Sequence, residues 1–117
     1  MSYRHEHRLR DIQRALEAIQ SHLDRGGLDD GLVFDGVRMR IIEIGEAVKS
    51  LPPELLAEQP GIAWGEIARM RDHLAHRYFD TTFGVVADVV RYDVIPLREA
   101  VGALLTRLAS DGASATD

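Results

Sequence analysis

The spacing of apolar residues is the feature that most constrains the fold of this chain. Over residues 4–24, 31–51, 63–79 and 80–108, large aliphatic side chains recur three or four residues apart, as on one face of an α-helix. No segment shows the sustained two-residue alternation of a strand. Because the connections between these stretches are short, neighbouring helices are expected to run antiparallel. We therefore predict an all-α fold, an antiparallel up-down bundle of four to five helices.

Turn and cap residues separate the predicted helices. The "RGG" at 25–27 ends the first helix, and the two aspartates that follow offer an N-cap to the second. The "PP" at 52–53 ends the second helix, and residues 53–58 have room for one further helical turn. Pro96 falls inside the last helix, so we expect a kink or a break near residues 92–96.

Length and composition indicate one domain. The chain has 117 residues, 45% of them hydrophobic, which is enough for one core. We predict a helical domain over residues 1–109 and a flexible polar tail over residues 110–117. The chain lacks cysteine, its N-terminus is charged, and no apolar stretch is long enough to span a bilayer. We therefore expect a cytoplasmic protein without a membrane partner.

The distribution of positive charge is uneven. The net charge is −5, which is unlike that of a strongly basic nucleic-acid binder, and Lys49 is the only lysine beside thirteen arginines. A GC-rich coding sequence would explain this preference, but arginine also suits phosphate recognition because its fork binds two oxygens at once. Residues 4–14 and 69–77 are both rich in arginine and histidine.

The segment "RMRDHLAHRYF" at 69–79 is either a solvated helix face or a site. At about 100° per residue, Arg71 and Tyr78 share the side of the apolar stripe, whereas Asp72 and His76 are i, i+4 neighbours on an adjoining side. An arginine on the apolar side must be paired, lie at the edge of the core or face a cleft. Convergence of Arg71, His76 and Tyr78 requires a long reach by the arginine, a distorted helix end, or a second copy of the chain beside this helix.

The segment "IIEIGEAV" at 41–48 holds a second candidate feature. Gly45 lies within a helix, where glycine costs about 1 kcal/mol relative to alanine. Such a glycine often marks the close approach of another helix or a ligand, although simple tolerated packing is an alternative. Glu46 is a candidate partner for Arg71. The long central helices lack the Glu-x-x-His pairs of carboxylate-bridged bundles, so we predict no metal site.

These motifs together resemble those of a known family. Arg71, His76 and Tyr78 form R-x4-H-x-Y, preceded by "IGEA" at 44–47 and "PGIAW" at 60–64. In this order they resemble the HepT-like toxins, a branch of the HEPN superfamily, and the resemblance covers about residues 5–108. The chain departs from the family pattern at Asp72, where asparagine is common, and at Arg77, where a small or acidic residue is frequent.

The resemblance implies a HEPN-like bundle that dimerises with both motifs facing one groove. It also implies a metal-independent endoribonuclease that needs no cofactor, with RNA as substrate and Arg71 and His76 as the catalytic residues. Histidine is the residue type that titrates near neutral pH, so His76 suits the role of a base, and Arg71 suits the phosphate. Asp72 and Glu46 are the expected supporting residues. DNA should resist such a cleavage because it lacks the 2′-hydroxyl.

The resemblance further implies a partner and a modification. HepT-like toxins of type VII-like pairs are typically encoded beside a minimal nucleotidyltransferase antitoxin of the MntA type, and the expected assembly is the homodimer or a larger hetero-oligomer with this antitoxin. That partner transfers AMP to the motif tyrosine, here Tyr78. The alternative hypothesis is a catalytically inactive helical partner that docks a nucleotidyltransferase or binds nucleotides, and a third is a purely structural bundle. Substitution of His76 by alanine separates the first two.

Overall fold

The computed structural model describes the backbone of residues 2–76 and 79–116, and the side chains of residues 3–76 and 82–111. In that part of the chain all regular structure is helical, which confirms the predicted all-α class. The elements are α1 (Ser2–Leu23), α2 (Gly31–Lys49), α3 (Pro53–Leu56), α4 (Trp64–Ala75), α5 (Phe79–Asp88), a π-helical segment (Val89–Asp93) and α6 (Val94–Thr116). They form an all-α bundle of the HEPN type, as predicted.

Local sequence signals account for the beginnings of two helices. The Asp30 side chain caps α2, because its Oδ1 accepts from the backbone N–H groups of Leu32 at 2.9 Å and Val33 at 3.3 Å. Pro53 begins α3, at a position where the missing proline N–H has no helical partner to lose. The predicted cap and the predicted turn at 53–58 are therefore both present.

The core lies where α2 packs against α1 on one side and against α4 on the other, with α6 also against α1. The predicted apolar stripes line it, and each large buried side chain contributes about 1.5–3 kcal/mol. The largest fully buried side chains are Leu9, Ile12, Leu16, Ile19, Val37, Ile41, Leu74, Val86, Val101 and Leu104. Among the helices described, none combines the length and the apolar character needed to cross a membrane.

The last predicted helix changes its hydrogen-bonding pattern ahead of Pro96. The α-helical pattern of α5 gives way to a π-helical turn at Val89–Asp93, and α6 begins at Val94. Proline cannot donate to the carbonyl four residues earlier, and a wider turn relieves the clash of its ring, so the irregularity has a direct cause. The helix α6 then continues through Thr116. No helix end marks the predicted boundary after residue 109, and the flexibility of the tail stays a prediction.

The helix that carries the motif is shorter than predicted. The apolar spacing extends it to about residue 79, but α4 ends at Ala75, so that boundary is wrong. His76 is the C-cap, with φ −88° and ψ 0°, and its N–H donates to the His73 carbonyl at 3.3 Å. Such three-residue bonds tighten the last turn of a helix and satisfy a terminal carbonyl. Tyr78 and its predicted stacking over Arg71 lie outside the described residues.

Candidate functional site

The site begins with an unusually close crossing of α2 and α4. A Cβ atom placed on Gly45 would lie 2.5 Å from the Cβ of Arg71 and 3.1 Å from the carbonyl oxygen of Ile67. Real Cβ atoms do not approach other atoms so closely, so any side chain at position 45 would push the two helices apart. Glycine therefore brings the base of the Arg71 side chain directly onto α2, and the predicted close approach at Gly45 is confirmed.

Acidic partners hold the Arg71 guanidinium at this crossing. Its Nε lies 2.7 Å from Oε2 of Glu46, and its Nη1 donates to Oδ1 of Asp72 at 3.0 Å. The same Asp72 oxygen lies 3.6 Å from the Nζ of Lys49. The pairing of Arg71 with Glu46, which the sequence only suggested, is thus present, and two residues of α2 and two of α4 form one charged network.

The network keeps both of its central groups ionised. The hydrogen bond to Asp72, followed by the charge of Glu46, raises the pKa of Arg71. The hydrogen bond from Arg71, followed by the charge of Lys49, lowers the pKa of Asp72. Arg71 is therefore available as a fixed positive charge at any pH at which the protein is studied.

The guanidinium is nevertheless incompletely satisfied. Its Nε is shielded from solvent and has no aligned acceptor, although an oxygen of Glu46 lies 2.7 Å away. We interpret this contact as an ion pair by distance and not as a hydrogen bond, since the N–H bond does not point at the oxygen. The Arg71 side chain retains 36% of its exposure. Among the described residues, only one acceptor is aligned with its Nη groups, so these groups have donors for an external acceptor such as a phosphate oxygen.

The other motif residue, His76, sits exposed at the end of the same helix. The carboxylate of Asp72 contacts Arg71 and Lys49, and the described contacts include none between Asp72 and His76. The structure thus brings Glu46, Arg71 and Asp72 together, and the described contacts do not include His76 in this group. A supporting role of Asp72 or Glu46 in catalysis stays a prediction.

A residue that the sequence did not single out fixes the end of α4. Arg38 donates from Nη2 to the carbonyl oxygen of Leu74 at 2.7 Å, two residues before His76. The last carbonyls of a helix lack partners within it, and a positive charge there is favoured by the helix dipole. Arg38 precedes Gly45 by seven residues, two helical turns along the same face of α2, and this spacing was the signal available in the sequence. Helix α2 therefore holds α4 at two points.

An open groove of about 750 Å³ lies beside Arg71. Helices α1, α2 and α4 line it with Arg8, Asp11, Arg14, Ala15, Arg40, Ile42, Glu43, Glu46, Ala47, Ser50 and Arg71. Its four arginines outnumber its three carboxylates, whereas the whole chain carries a net charge of −5. Within the described residues, no three His, Asp or Glu side chains come together as a metal-ion cluster.

Comparison with known proteins assigns the class. Residues 9–104 match the HepT-like family, described as "Ribonuclease HepT-like", and this range contains Gly45, Arg71 and His76. The chain therefore belongs to the HepT-like ribonuclease family. No solved structure matches the chain.

Two relatives illustrate the extent of the similarity. The chain is 33% identical over 102 residues to "Probable ribonuclease HepT" of Thermococcus cleftensis, which covers 84% of this chain and 93% of that protein. It is 34% identical over 104 residues to "Gamma-glutamylcyclotransferase and putative RNase MJ0434" of Methanocaldococcus jannaschii. That match covers 86% of this chain and 47% of the relative, so the chain spans about half of the larger protein.

Proposed function

We propose that this chain is a metal-independent endoribonuclease and the toxin of a type VII-like toxin–antitoxin pair, acting in the cytoplasm. The observation that carries the proposal is Arg71, which α2 holds at the rim of an arginine-lined groove, five residues before His76, with donors that no described residue uses. Membership in the HepT-like ribonuclease family supports the same activity.

The proposed reaction uses the 2′-hydroxyl of RNA as the nucleophile. His76 takes its proton, the 2′-oxygen forms a bond to the adjacent phosphorus, and the bond from phosphorus to the 5′-oxygen breaks. The departing 5′-oxygen receives a proton, which leaves a 2′,3′-cyclic phosphate and a 5′-hydroxyl. Arg71 binds the non-bridging phosphate oxygens and stabilises the charge that develops on them.

The reaction requires two copies of the chain. Arg71 and His76 are five residues apart, about 140° around a helix, so one copy directs them away from each other. A two-fold axis beside α4 would place Arg71 and His76 of both copies around one cleft between the two chains. One His76 then acts as the base, and the His76 of the other copy protonates the leaving oxygen. We therefore propose a homodimer as the active form.

The proposed regulation acts on Tyr78, two residues after His76. A minimal nucleotidyltransferase antitoxin transfers AMP to its hydroxyl, and toxin and antitoxin form a hetero-oligomer. The phosphate of the added AMP carries negative charge, and it competes with the phosphates of RNA for the N–H donors of Arg71. The support for this step is the R-x4-H-x-Y pattern.

Growth on induction tests the toxin proposal. Wild-type protein without its neighbouring nucleotidyltransferase gene should arrest growth, and His76→Ala at equal soluble levels should not. The matched control is His73→Ala, an exposed histidine one turn earlier on α4, which should still arrest growth. Absence of arrest with soluble wild type, together with retained docking of the nucleotidyltransferase, would favour the catalytically inactive partner instead.

Mass spectrometry tests the regulatory step separately. Co-expression with the neighbouring nucleotidyltransferase should add one AMP to the wild-type chain and map it to Tyr78. Tyr78→Phe should stay unmodified and should keep arresting growth in the presence of the antitoxin. If the nucleotidyltransferase rescues growth while the wild-type chain stays unmodified, silencing by AMP transfer is refuted.

A further inference from the structure

We infer that Arg8, Arg14 and Arg40 bind the phosphates of single-stranded RNA next to the phosphate held by Arg71. The inference rests on the proposed function for the nature of the ligand, and it assigns a role to groove residues outside the motif. It predicts that affinity for RNA depends on a surface built by α1 and α2, and not on the motif helix alone.

The groove itself is the first observation. Arginines from three helices open into one space, although they are far apart in sequence. The buried Ala15 and Ala47 line the groove between α1 and α2, and their short side chains leave the groove deep. The volume of about 750 Å³ is that of a ligand pocket, so it suits a few nucleotides of one strand better than the face of a duplex.

The present partners of these arginines are weak competitors for a phosphate. Arg8 and Arg14 share Asp11 as their partner. The Oδ2 atom of Asp11 lies 3.1 Å from Nη1 of Arg8, and its Oδ1 atom lies 2.5 Å from Nη2 of Arg14. Arg8 and Arg14 keep 48% and 60% of their side-chain exposure. Ion pairs this exposed add little to stability, so a phosphate replaces a carboxylate at small cost.

Arg40 is the least satisfied member of the groove. Its Nη1 lies 3.3 Å from Oε1 of Glu43, and its Nε is shielded from solvent without an aligned acceptor. The contacts of the free protein therefore do not lock its conformation. Arg40 shares this unmet Nε with Arg71, so the groove contains two arginines whose hydrogen-bonding capacity exceeds what the described residues supply. A guanidinium fork matches a phosphate in both charge and shape.

Binding of a fluorescent single-stranded RNA of about twelve nucleotides tests the inference, because such a strand is longer than the groove and can contact all of its arginines. All proteins carry His76→Ala so that the RNA stays intact. The groove variant is Arg8→Gln/Arg14→Gln/Arg40→Gln. The control is Arg10→Gln/Arg69→Gln/Arg98→Gln, which removes the same charge from exposed arginines that do not line the groove.

The groove variant should weaken binding about tenfold or more, since it cannot form the charge-assisted hydrogen bonds to phosphate. The slope of log affinity against log salt concentration should become less negative by about 0.7 for each phosphate that the variant no longer binds. The control should stay within about twofold of its parent, because removing exposed charge that touches no phosphate changes only the general field. Equal losses of affinity in the groove variant and the control would overturn the inference, as would an unchanged affinity in the groove variant.

Three further readouts keep the outcomes distinct. Wild type that cleaves no RNA would defeat the proposed function, whereas the binding comparison would still decide the groove. Light scattering that shows a changed oligomeric state, with unchanged RNA affinity, would assign the groove to contacts between copies and overturn the inference. If the triple variant does not fold, Arg40→Gln and Arg40→Lys replace it: loss of affinity in both would indicate that the fork is needed, and full affinity in both would contradict the inference.

Discussion

Arg71 and Arg107 have similar surroundings but differ in how many of their donors have aligned acceptors. Their side chains are 36% and 40% exposed, and each contacts two carboxylates. All three nitrogens of Arg107 have aligned acceptors: Nε donates to Glu58 at 2.8 Å, Nη2 donates to the other oxygen of Glu58, and Nη1 donates to Asp111. Arg71 has one aligned acceptor among the described residues, on Asp72, and a shielded Nε without one.

This comparison shows that acidic partners alone do not mark a functional arginine. Arg107 uses Nε and Nη2 to tie α6 to the connection after α3, and it uses Nη1 to bind Asp111 within α6, so each of its three nitrogens already has a carboxylate acceptor. Arg71 is held by the close packing at Gly45 and by an ion pair to Glu46, yet it has donors beside a groove that no residue in the described part of the chain accepts from. An arginine that is positioned but not satisfied is suited to bind substrate.

The largest predicted effect is the loss of RNA cleavage when Arg71, and not Arg107, is removed. Arg71→Ala should lower the rate of RNA cleavage about a hundredfold or more, because the variant lacks a donor that stabilises the transition state. Arg107→Ala should leave the rate within about twofold, since its interactions stabilise only the surface of the fold. Initial rates on one labelled RNA measure both. Equal losses of activity for the two variants would remove the distinction between them.

A second prediction concerns the helix crossing. Gly45→Ala places a Cβ 2.5 Å from that of Arg71, so it should cut activity about tenfold and lower the free energy of unfolding by about 1–3 kcal/mol. Gly102→Ala is the matched control within α6, where a Cβ meets no atom within 4 Å. It should raise the free energy of unfolding by about 0.5–1 kcal/mol and keep full activity. Urea titration measures the free energy of unfolding of both variants, and cleavage rates measure their activity. A Gly45→Ala variant with the activity and stability of wild type would show that the close approach of the two helices is unimportant.

A third prediction concerns the position of His76. Arg38→Met removes the donor to the Leu74 carbonyl and should lower the free energy of unfolding by about 1–2 kcal/mol. It should also lower kcat roughly tenfold with a smaller change in KM, because the end of α4 is no longer fixed. Arg38→Lys keeps a donor and should recover part of kcat. Arg10→Met, on the exposed side of α1, is the control. A change in KM without a change in kcat in Arg38→Met would contradict the role of Arg38 in positioning His76.

The smallest predicted effect concerns pH. Arg71 and Lys49 hold the pKa of Asp72 below its usual range, so the stabilisation from ionised Asp72 is present above the unfolded value of 3.8. It is lost only as the pH falls through the still lower folded value. Asp72→Asn should therefore leave the shape of the cleavage–pH profile unchanged between about pH 5 and 9, where histidine titrates. Asp111→Asn, which removes the corresponding partner of Arg107, should change neither shape nor rate. A shifted acid limb in Asp72→Asn would place Asp72 in the reaction.

Local patterns in the sequence were enough to predict much of this arrangement. Spacing of apolar residues predicted α1 and α2, the aspartates at 29 and 30 predicted the cap of α2, and Gly45 predicted a close approach. Each of these signals depends on residues that are neighbours along one helix. The sequence could suggest the pairing of Glu46 with Arg71 but could not establish it, since the pairing depends on how two helices cross.

The remainder depends on tertiary packing or on a helix end without a marker. Residues 76–83 contain no glycine or proline, and the apolar spacing continues past Ala75, so the sequence did not reveal where α4 ends. The bond from Arg38 to Leu74 joins residues 36 apart, and the groove combines residues of three helices. Such contacts follow from the angle and the register of packed helices, which composition and periodicity do not specify.

The most direct test of the central claim is cleavage of one single-stranded RNA by purified protein, with wild type, His76→Ala and Arg107→Ala compared side by side. The same sequence with a 2′-deoxy sugar at the cut nucleotide serves as the second substrate. We predict that wild type and Arg107→Ala cut the RNA to a 2′,3′-cyclic phosphate and spare the deoxy site, and that His76→Ala cuts neither substrate. Cleavage by His76→Ala at the wild-type rate, or equal cleavage at the deoxy site, would contradict a ribonuclease site built from Arg71 and His76.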